Sequence, residues 1–154
     1  IRGLTDSGVS VLDLGIVSTG CVYHACWTLP VEGGVMVTAS HLPMPTHNGF
    51  KMCRGTLPLA GEEILELKQV FLDGNFVDGA GEVIDNPHMD NYLKAVIDST
   101  GKLARPVKLA VDCANAVPGP AMSKLLDMLG WNTSTYIVTG MLANQTMVQI
   151  QPAR

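Results

Sequence analysis

The stretch Gly33-Gly34-Val35-Met36-Val37-Thr38-Ala39-Ser40-His41-Leu42-Pro43-Met44-Pro45-Thr46-His47-Asn48-Gly49-Phe50-Lys51 decides how the rest of the chain is read. Gly33-Gly34 predicts a turn. Val35 to Thr38 is apolar and rich in β-branched residues, which predicts a buried strand. That strand runs straight into Ala39-Ser40-His41 and then into a polar, proline-broken loop, Leu42 to Gly49. Phe50 to Cys53 predicts a short strand leaving the loop. A serine at the end of a buried parallel strand stands where α/β proteins place their ligands. His41, the amide of Asn48, Gly49 and Lys51 follow it closely, and a lysine is a compact charge suited to phosphate or to proton transfer. The same residue types also have a purely structural use. Ser and Thr end strands to satisfy backbone groups, and Asn-Gly is a common turn.

Outward from this stretch, strands alternate with helices of about ten residues, the pattern of α/β layers. On the N-terminal side, Ile1 to Ser7 predicts the last turns of a helix stopped by Gly8. Val9, Val11, Leu12 and Leu14 predict a short strand closed by Gly15, and Cys21 to Leu29 predicts a helix ended by Pro30. On the C-terminal side, Gly61 to Leu72 predicts an amphipathic helix with Ile64, Leu65, Leu67 and Phe71 on its inner side and Glu62 and Glu63 in its first turn. Gly74 to Asp85 has no clear period and predicts a connector. Asn86-Pro87 predicts a helix start, with Asn as N-cap and Pro at the first helical position, and the helix stops near Gly101. Val107 to Val111 predicts a second buried strand, leading into Asp112-Cys113-Ala114-Asn115. Pro118 to Pro120 leads into a helix, Ala121 to Leu129, stopped by Gly130, and Trp131 to Val138 predicts a further strand. The tail from Gly140 to Arg154 has weak periodicity.

The 154 residues are enough for one domain, or one domain and part of a second. A hydrophobic share of 47% against 16% charged residues supports a packed core. A net charge of -4 with no basic block argues against nucleic acid or an anionic membrane surface as partner. No apolar run approaches the roughly 20 residues of a membrane-spanning helix, and Ile1-Arg2-Gly3 has no signal-peptide layout and no initiator Met. Cys21, Cys26, Cys53 and Cys113 form no CxxC pair, so a zinc site or redox dithiol is not predicted. Buried thiols in a reducing cytoplasm are. The sequons Asn132-Thr133-Ser134 and Asn144-Gln145-Thr146 read as chance matches.

Several chemistries fail on residue pattern. Ser40 lies between Ala39 and His41, without the glycines of a nucleophile elbow. No phosphate-binding P-loop and no dinucleotide-binding glycine motif occurs, and His24, His41 and His47 lack metal-ligand spacing.

Thr38-Ala39-Ser40-His41 followed by Asn48-Gly49-Phe50-Lys51 resembles the phosphoserine loop of the α-D-phosphohexomutases, the phosphomannomutase and phosphoglucomutase superfamily. The family loop reads Thr-(Ala/Gly)-Ser-His-Asn-Pro-x-x-x-Asn-Gly-x-Lys. Gly8 to Ala25 is similar to the strand and loop that precede this site in the family. Val107 to Gly130 is similar to the start of its second domain, where Val-Asp-Cys-(Ala/Gly)-Asn-Gly is typical. The resemblance implies an α/β fold: a mixed sheet layered with helices, like the family's first domain, followed by the opening βα units of a second. It implies a phosphoserine domain over residues 1–80, a connector and linking helix over 81–105, and an incomplete second domain over 106–154.

The resemblance also implies a reaction, the interconversion of hexose 6-phosphate and hexose 1-phosphate through a bisphosphorylated sugar. Ser40 matches the phosphoryl carrier, Lys51 the lysine near the reacting hydroxyl, and His41 an orienting histidine. Thr38, Asn48 and Gly49 shape the phosphate loop, with Gly49 supplying a backbone turn that no side chain allows. Mg2+ is implied as the metal, touching Ser40 only through its phosphate, and a hexose 1,6-bisphosphate as activator. A phosphorylated hexose is the implied partner. The departures are specific. Leu42 stands where the family usually has Asn, the loop is one residue longer, and Ala116 replaces a Gly. The family's Asp-Gly-Asp-x-Asp-Arg metal motif and its Gly-Glu-x-Ser-Gly-His sugar loop are absent from the sequence. Two readings follow: a partial phosphohexomutase with little turnover alone, or a non-catalytic remnant or binding module of the same fold. Open sheet edges in a truncated first domain predict self-association.

Overall fold

The computed structural model describes residues 1–43, 45–101, 109–113, 116–130 and 136–138. Its element order is α1 (Arg2–Asp6), β1 (Val11–Asp13), α2 (Thr19–Thr28), β2 (Gly33–Val37), β3 (Phe50–Arg54), β4 (Leu57–Pro58), α3 (Glu62–Asp73), β5 (Val83–Asp85), α4 (Met89–Thr100), β6 (Ala110–Asp112), α5 (Pro118–Met128) and β7 (Tyr136–Val138). The architecture is mixed α/β, as the sequence pattern predicts. The chain divides into two compact units, one of Ile1–Gly15 with Thr19–Pro87, the other of Ile16–Ser18 with His88–Arg154.

In the first unit β1 pairs with β5 in parallel, Val11 opposite Val83. β2, β3 and β4 form a separate antiparallel sheet with β3 in the centre. The core is built by α2 against β2 and β3. Cys21, Val22, Ala25 and Cys26 recur at helical spacing on one face of α2 and are all buried. Cys53 of β3 closes the same core. Burying the Val22 side chain contributes on the order of 2 kcal/mol.

Four features depart from the sequence reading. Gly33-Gly34 is not a turn but the start of β2. A side-chain carbon at Gly33 would collide with the carbonyl oxygen of Cys53, and one at Gly34 would lie 2.6 Å from Cys26 Sγ. The two glycines serve close packing rather than chain reversal. Second, β2 is neither fully buried nor part of a parallel ladder. Val35 and Val37 are 44% and 55% exposed, and the strand runs antiparallel to β3. A β-branched run records strand propensity and says nothing of which face is covered. Third, Ile64, Leu65, Leu67 and Phe71 of α3 are exposed, and no residue of this helix is buried. The periodic stripe encodes the helix, whose ends are marked by Glu62 and Glu63 and by left-handed Gly74, but burial needs an opposing surface. Fourth, the stretch read as a connector contains β5, too short at Val83–Asp85 to show a period.

In the second unit α4 starts later than Asn86-Pro87 predicts, with His88 as N-cap. Asn86 instead donates its backbone N–H to the Asp13 carbonyl at the end of β1, 2.9 Å away, which holds it in the first unit. Tertiary pairing has overridden a local capping signal. α4 contacts α5 and is tied to it by an ion pair between Asp90 and Lys124. Leu93 and Leu126 are buried, as is His88. β6 and β7 pair in parallel across α5, Ala110 opposite Tyr136. Val107 and Lys108 of the predicted strand, the pair Ala114-Asn115, both sequons and the tail from Gly140 lie outside the described residues. No helix among the described residues is long and apolar enough to cross a membrane.

Candidate functional site: the loop between two antiparallel strands

β2 delivers the chain to Thr38, and β3 collects it at Phe50. The mouth of the intervening loop is closed by the Thr38 N–H donating to the Gly49 carbonyl at 2.9 Å, which continues the ladder one step beyond Val37 and Phe50. The described residues between Ala39 and Asn48 are therefore presented from the end of a two-strand ladder, an arrangement suited to a working loop.

Ser40 sits at the tip of the first turn. The Leu42 N–H donates to the Ala39 carbonyl at 3.0 Å, which makes Ser40 the second residue of a four-residue turn. Its φ is +57°, the one left-handed residue other than glycine among the described residues. That conformation costs an ordinary residue on the order of 1 kcal/mol. A local hydrogen bond offsets part of the cost, since the Ser40 N–H donates to Thr38 Oγ1 at 2.9 Å. The Ser40 side chain is exposed, and its Oγ lies 3.4 Å from Nδ1 of His41, also exposed. A second turn follows, in which the Thr46 and His47 N–H groups share the Pro43 carbonyl. Thr46 Oγ1 lies 2.8 Å from His47 Nδ1, so His47 is engaged within its own turn.

Asn48 uses its side chain locally, Oδ1 accepting from the Gly49 N–H at 2.9 Å. The expectation for Gly49 is corrected. Its φ lies outside the left-handed region, and a side-chain carbon there would meet only the Thr38 carbonyl oxygen at 3.4 Å. The positive φ of this loop belongs to Ser40. Lys51 stands opposite Met36, on the sheet face shared by Gly34 and Cys53, and is exposed. It forms no ion pair among the described residues, whereas Arg54 pairs with Glu63 of α3 at 3.4 Å. From Gly33 to Gly61 the sequence contains no aspartate or glutamate. The loop thus offers a hydroxyl, two imidazoles and a free ammonium with no competing carboxylate of its own, which favours an anionic ligand.

Among the described residues the side chains do not fit Mg2+. No group of three or more His, Cys, Asp or Glu that could hold a metal ion occurs among the described residues. No chemical step at this loop is therefore assigned to a metal held by this chain.

Sequence reasoning missed two features. The left-handed turn at Ser40 had no signal, because serine is not a residue that announces positive φ. The contact of Cys26 with Cys53, Sγ to Sγ 3.3 Å, had none either, because the two are far apart in the chain. All four cysteines are buried, as expected. Burial pushes the Cys21 thiol pKa above its ordinary value. It pushes Cys26 up to about 11, with the hydrogen bond and charge of Cys53 acting in the same direction. Cys113 is raised by burial and by the negative charge of Asp112.

The family described as "Phosphoglucomutase/phosphomannomutase, alpha/beta/alpha domain I" matches residues 1–77 of this chain. A phosphoglucomutase of Neisseria gonorrhoeae is 42% identical over 131 residues, covering 84% of this chain and 28% of that protein. A phosphomannomutase/phosphoglucomutase of Pseudomonas aeruginosa is 37% identical over 130 residues, with the same two coverages, 84% and 28%. Among solved structures, a phosphoglucomutase/phosphomannomutase family protein of Burkholderia thailandensis superposes with a TM-score of 0.77 at 34% identity, over 86% of this chain and 30% of that one. The fold and loop define an α/β protein with an exposed serine on a carboxylate-free turn. The chain belongs to the phosphoglucomutase/phosphomannomutase family. It spans 28% of the length of these curated relatives.

Proposed function

We propose that the chain carries the phosphoserine segment of a phosphohexomutase and that Ser40 Oγ is the phosphoryl carrier between the 6- and 1-positions of a hexose phosphate. The observation that carries this reading is the turn tip itself. An exposed serine is held at φ +57° by Thr38, beside an imidazole 3.4 Å from its hydroxyl. In the donating direction the bond between phosphorus and Ser40 Oγ breaks as a bond forms from phosphorus to a sugar hydroxyl oxygen. The sugar hydroxyl gives up its proton, and Ser40 Oγ receives one. His41 Nδ1 is within reach to hold the proton at Oγ. The Lys51 ammonium counters the charge of the transferring group. Thr38, Asn48 and Gly49 shape the loop rather than touch the reacting atoms. The substrate is a phosphorylated hexose, and a hexose 1,6-bisphosphate loads the serine. By itself the 154-residue chain turns over little, because its sequence contains no Asp-Gly-Asp-x-Asp-Arg metal motif.

A second reading, a non-catalytic remnant of the same fold, draws on two observations. Leu42, 46% exposed, puts an apolar residue in the same turn as the serine, and no metal-ligand cluster is present among the described residues. Intact-mass measurement separates the two. The purified chain is incubated with glucose 1,6-bisphosphate or mannose 1,6-bisphosphate, with and without magnesium chloride. One added phosphate that is missing from Ser40→Ala supports the carrier. An unchanged mass under every condition overturns it and leaves the remnant.

A further inference from the structure

Cys26 lies on α2 and Cys53 on β3, 27 residues apart in sequence, and their sulfurs meet at 3.3 Å in the core of the first unit. Both are free thiols, 7% and 6% exposed. The backbone beneath them is bare. Gly34, opposite Cys53 in the ladder, leaves open the space in which a side-chain carbon would lie 2.6 Å from one sulfur and 3.3 Å from the other. A disulfide bond is about 2.0 Å long. The sulfurs therefore need to approach by little more than 1 Å, a shift within the range of side-chain rotation and small helix movement.

We propose that Cys26 and Cys53 form a redox-sensitive pair that closes to an intramolecular disulfide, clamping α2 to the central strand β3, when the folded chain meets an oxidant of the peroxide class. One sulfur, as thiolate, attacks a peroxide oxygen. The O–O bond breaks, a sulfenic acid forms, and the departing hydroxide takes up the proton lost from the thiol to give water. The second sulfur then attacks the sulfenic sulfur. The S–S bond forms, the S–O bond breaks, and the hydroxide leaves with the second thiol proton as water. In total two thiols lose two electrons and two protons, and one peroxide becomes two waters. A dithiol reductant reverses the step by exchange.

The other cysteines are not part of this pair. Cys21 lies five residues before Cys26, at the other edge of the buried face of α2 and roughly 140° away around its axis, and Cys113 belongs to the second unit. Burial slows the reaction at neutral pH by keeping Cys26 protonated, so the rate rises as pH climbs toward about 11. The clamp bears on the base of the candidate loop, because Lys51 precedes Cys53 on the same strand and the same face. The proposal does not depend on the phosphoryl-carrier reading.

The experiment uses the full chain, dilute and folded. Hydrogen peroxide is added in graded amounts and removed with catalase. The chain is then unfolded in urea and alkylated with iodoacetamide, and its intact mass and peptides are measured. The reduced chain takes up four alkyl groups, one for each cysteine. After oxidation the expected uptake falls to two, with one peptide pair joined through Cys26 and Cys53, and dithiothreitol restores four. Cys26→Ala and Cys53→Ala should each take up three groups before and after oxidation. The proposal is overturned if the oxidised chain still takes up four, if the joined peptides contain Cys21 or Cys113, or if the link forms only when peroxide is added to the urea-unfolded chain. These outcomes are read on the wild-type chain, so failure of a variant to fold does not blur them.

Discussion

Replacing Gly34 by alanine tests the packing of the first unit at its tightest point. The added carbon would lie 2.6 Å from Cys26 Sγ, 3.2 Å from Val22 Cγ1 and 3.3 Å from Cys53 Sγ. Comfortable carbon contacts lie near 3.5–4.0 Å, so the first approach is short by about 1 Å and the other two by a few tenths. The three atoms are side-chain atoms of α2 and β3. Clearing the methyl takes a shift of the Cys26 sulfur together with smaller adjustments of Val22 and Cys53. Overpacking of this kind costs about 1–3 kcal/mol, and the number of clashes places Gly34→Ala in the upper half of that range. Cys26→Ala removes the worst clash, and the alanine at 34 then fills part of the vacated space. The double variant should accordingly be more stable than the sum of the two single changes, by about 1 kcal/mol or more. Urea unfolding followed by far-UV circular dichroism gives the stabilities. The rate of alkylation at Cys53 reports on this core alone, and it should rise in Gly34→Ala. A Gly34→Ala chain as stable as the parent, or strictly additive effects in the cycle, would refute the view that Gly34 is there for close packing.

Three further predictions follow from the site and its surroundings. Cys26 has a pKa raised in the folded chain, from 9.0 to about 11, so it contributes stability that is complete below pH 9 and is lost as pH rises toward 11; alkaline unfolding curves should fall across that window, and Cys26→Ala should flatten part of the fall. Thr38→Val removes the acceptor that holds the Ser40 N–H at 2.9 Å, a loss of about 1 kcal/mol at the turn; phosphate uptake at Ser40 should slow, Thr38→Ser should restore it, and equal rates in all three chains would deny Thr38 a positioning role. The outer sheet face exposes Val35, Val37, Phe50 and Leu57, the last two at 68% and 72%; light scattering should show concentration-dependent association through this apolar surface and its strand edges, and a chain that stays monomeric at high concentration would count against it.

The division between local and tertiary information runs through particular residues. The helix predicted over Gly61 to Leu72, found at Glu62–Asp73, was readable because helix spacing is a local property. The same holds for the helix from Thr19 to Thr28, the strand leaving the loop at Phe50, and the mixed α/β class as a whole. Ser40, His41 and Lys51 were readable as candidates because the motif that carries them is contiguous. Strand partners were not readable. β5 is three residues long and exists because Val11 to Asp13 lies beside it. The Asn86-Pro87 start signal gave way to a hydrogen bond with Asp13, a residue far away in sequence.

By itself, then, the amino-acid order determined which segments coil, which extend, and which hydroxyl stands at the loop. Those properties depend on neighbours a few residues apart. Only the tertiary structure decided that Gly33 and Gly34 are packing residues, that Ser40 turns left-handed against Thr38, and that Cys26 touches Cys53. Each of these depends on an atom brought near by the rest of the fold, and no local pattern records an interatomic distance across the core.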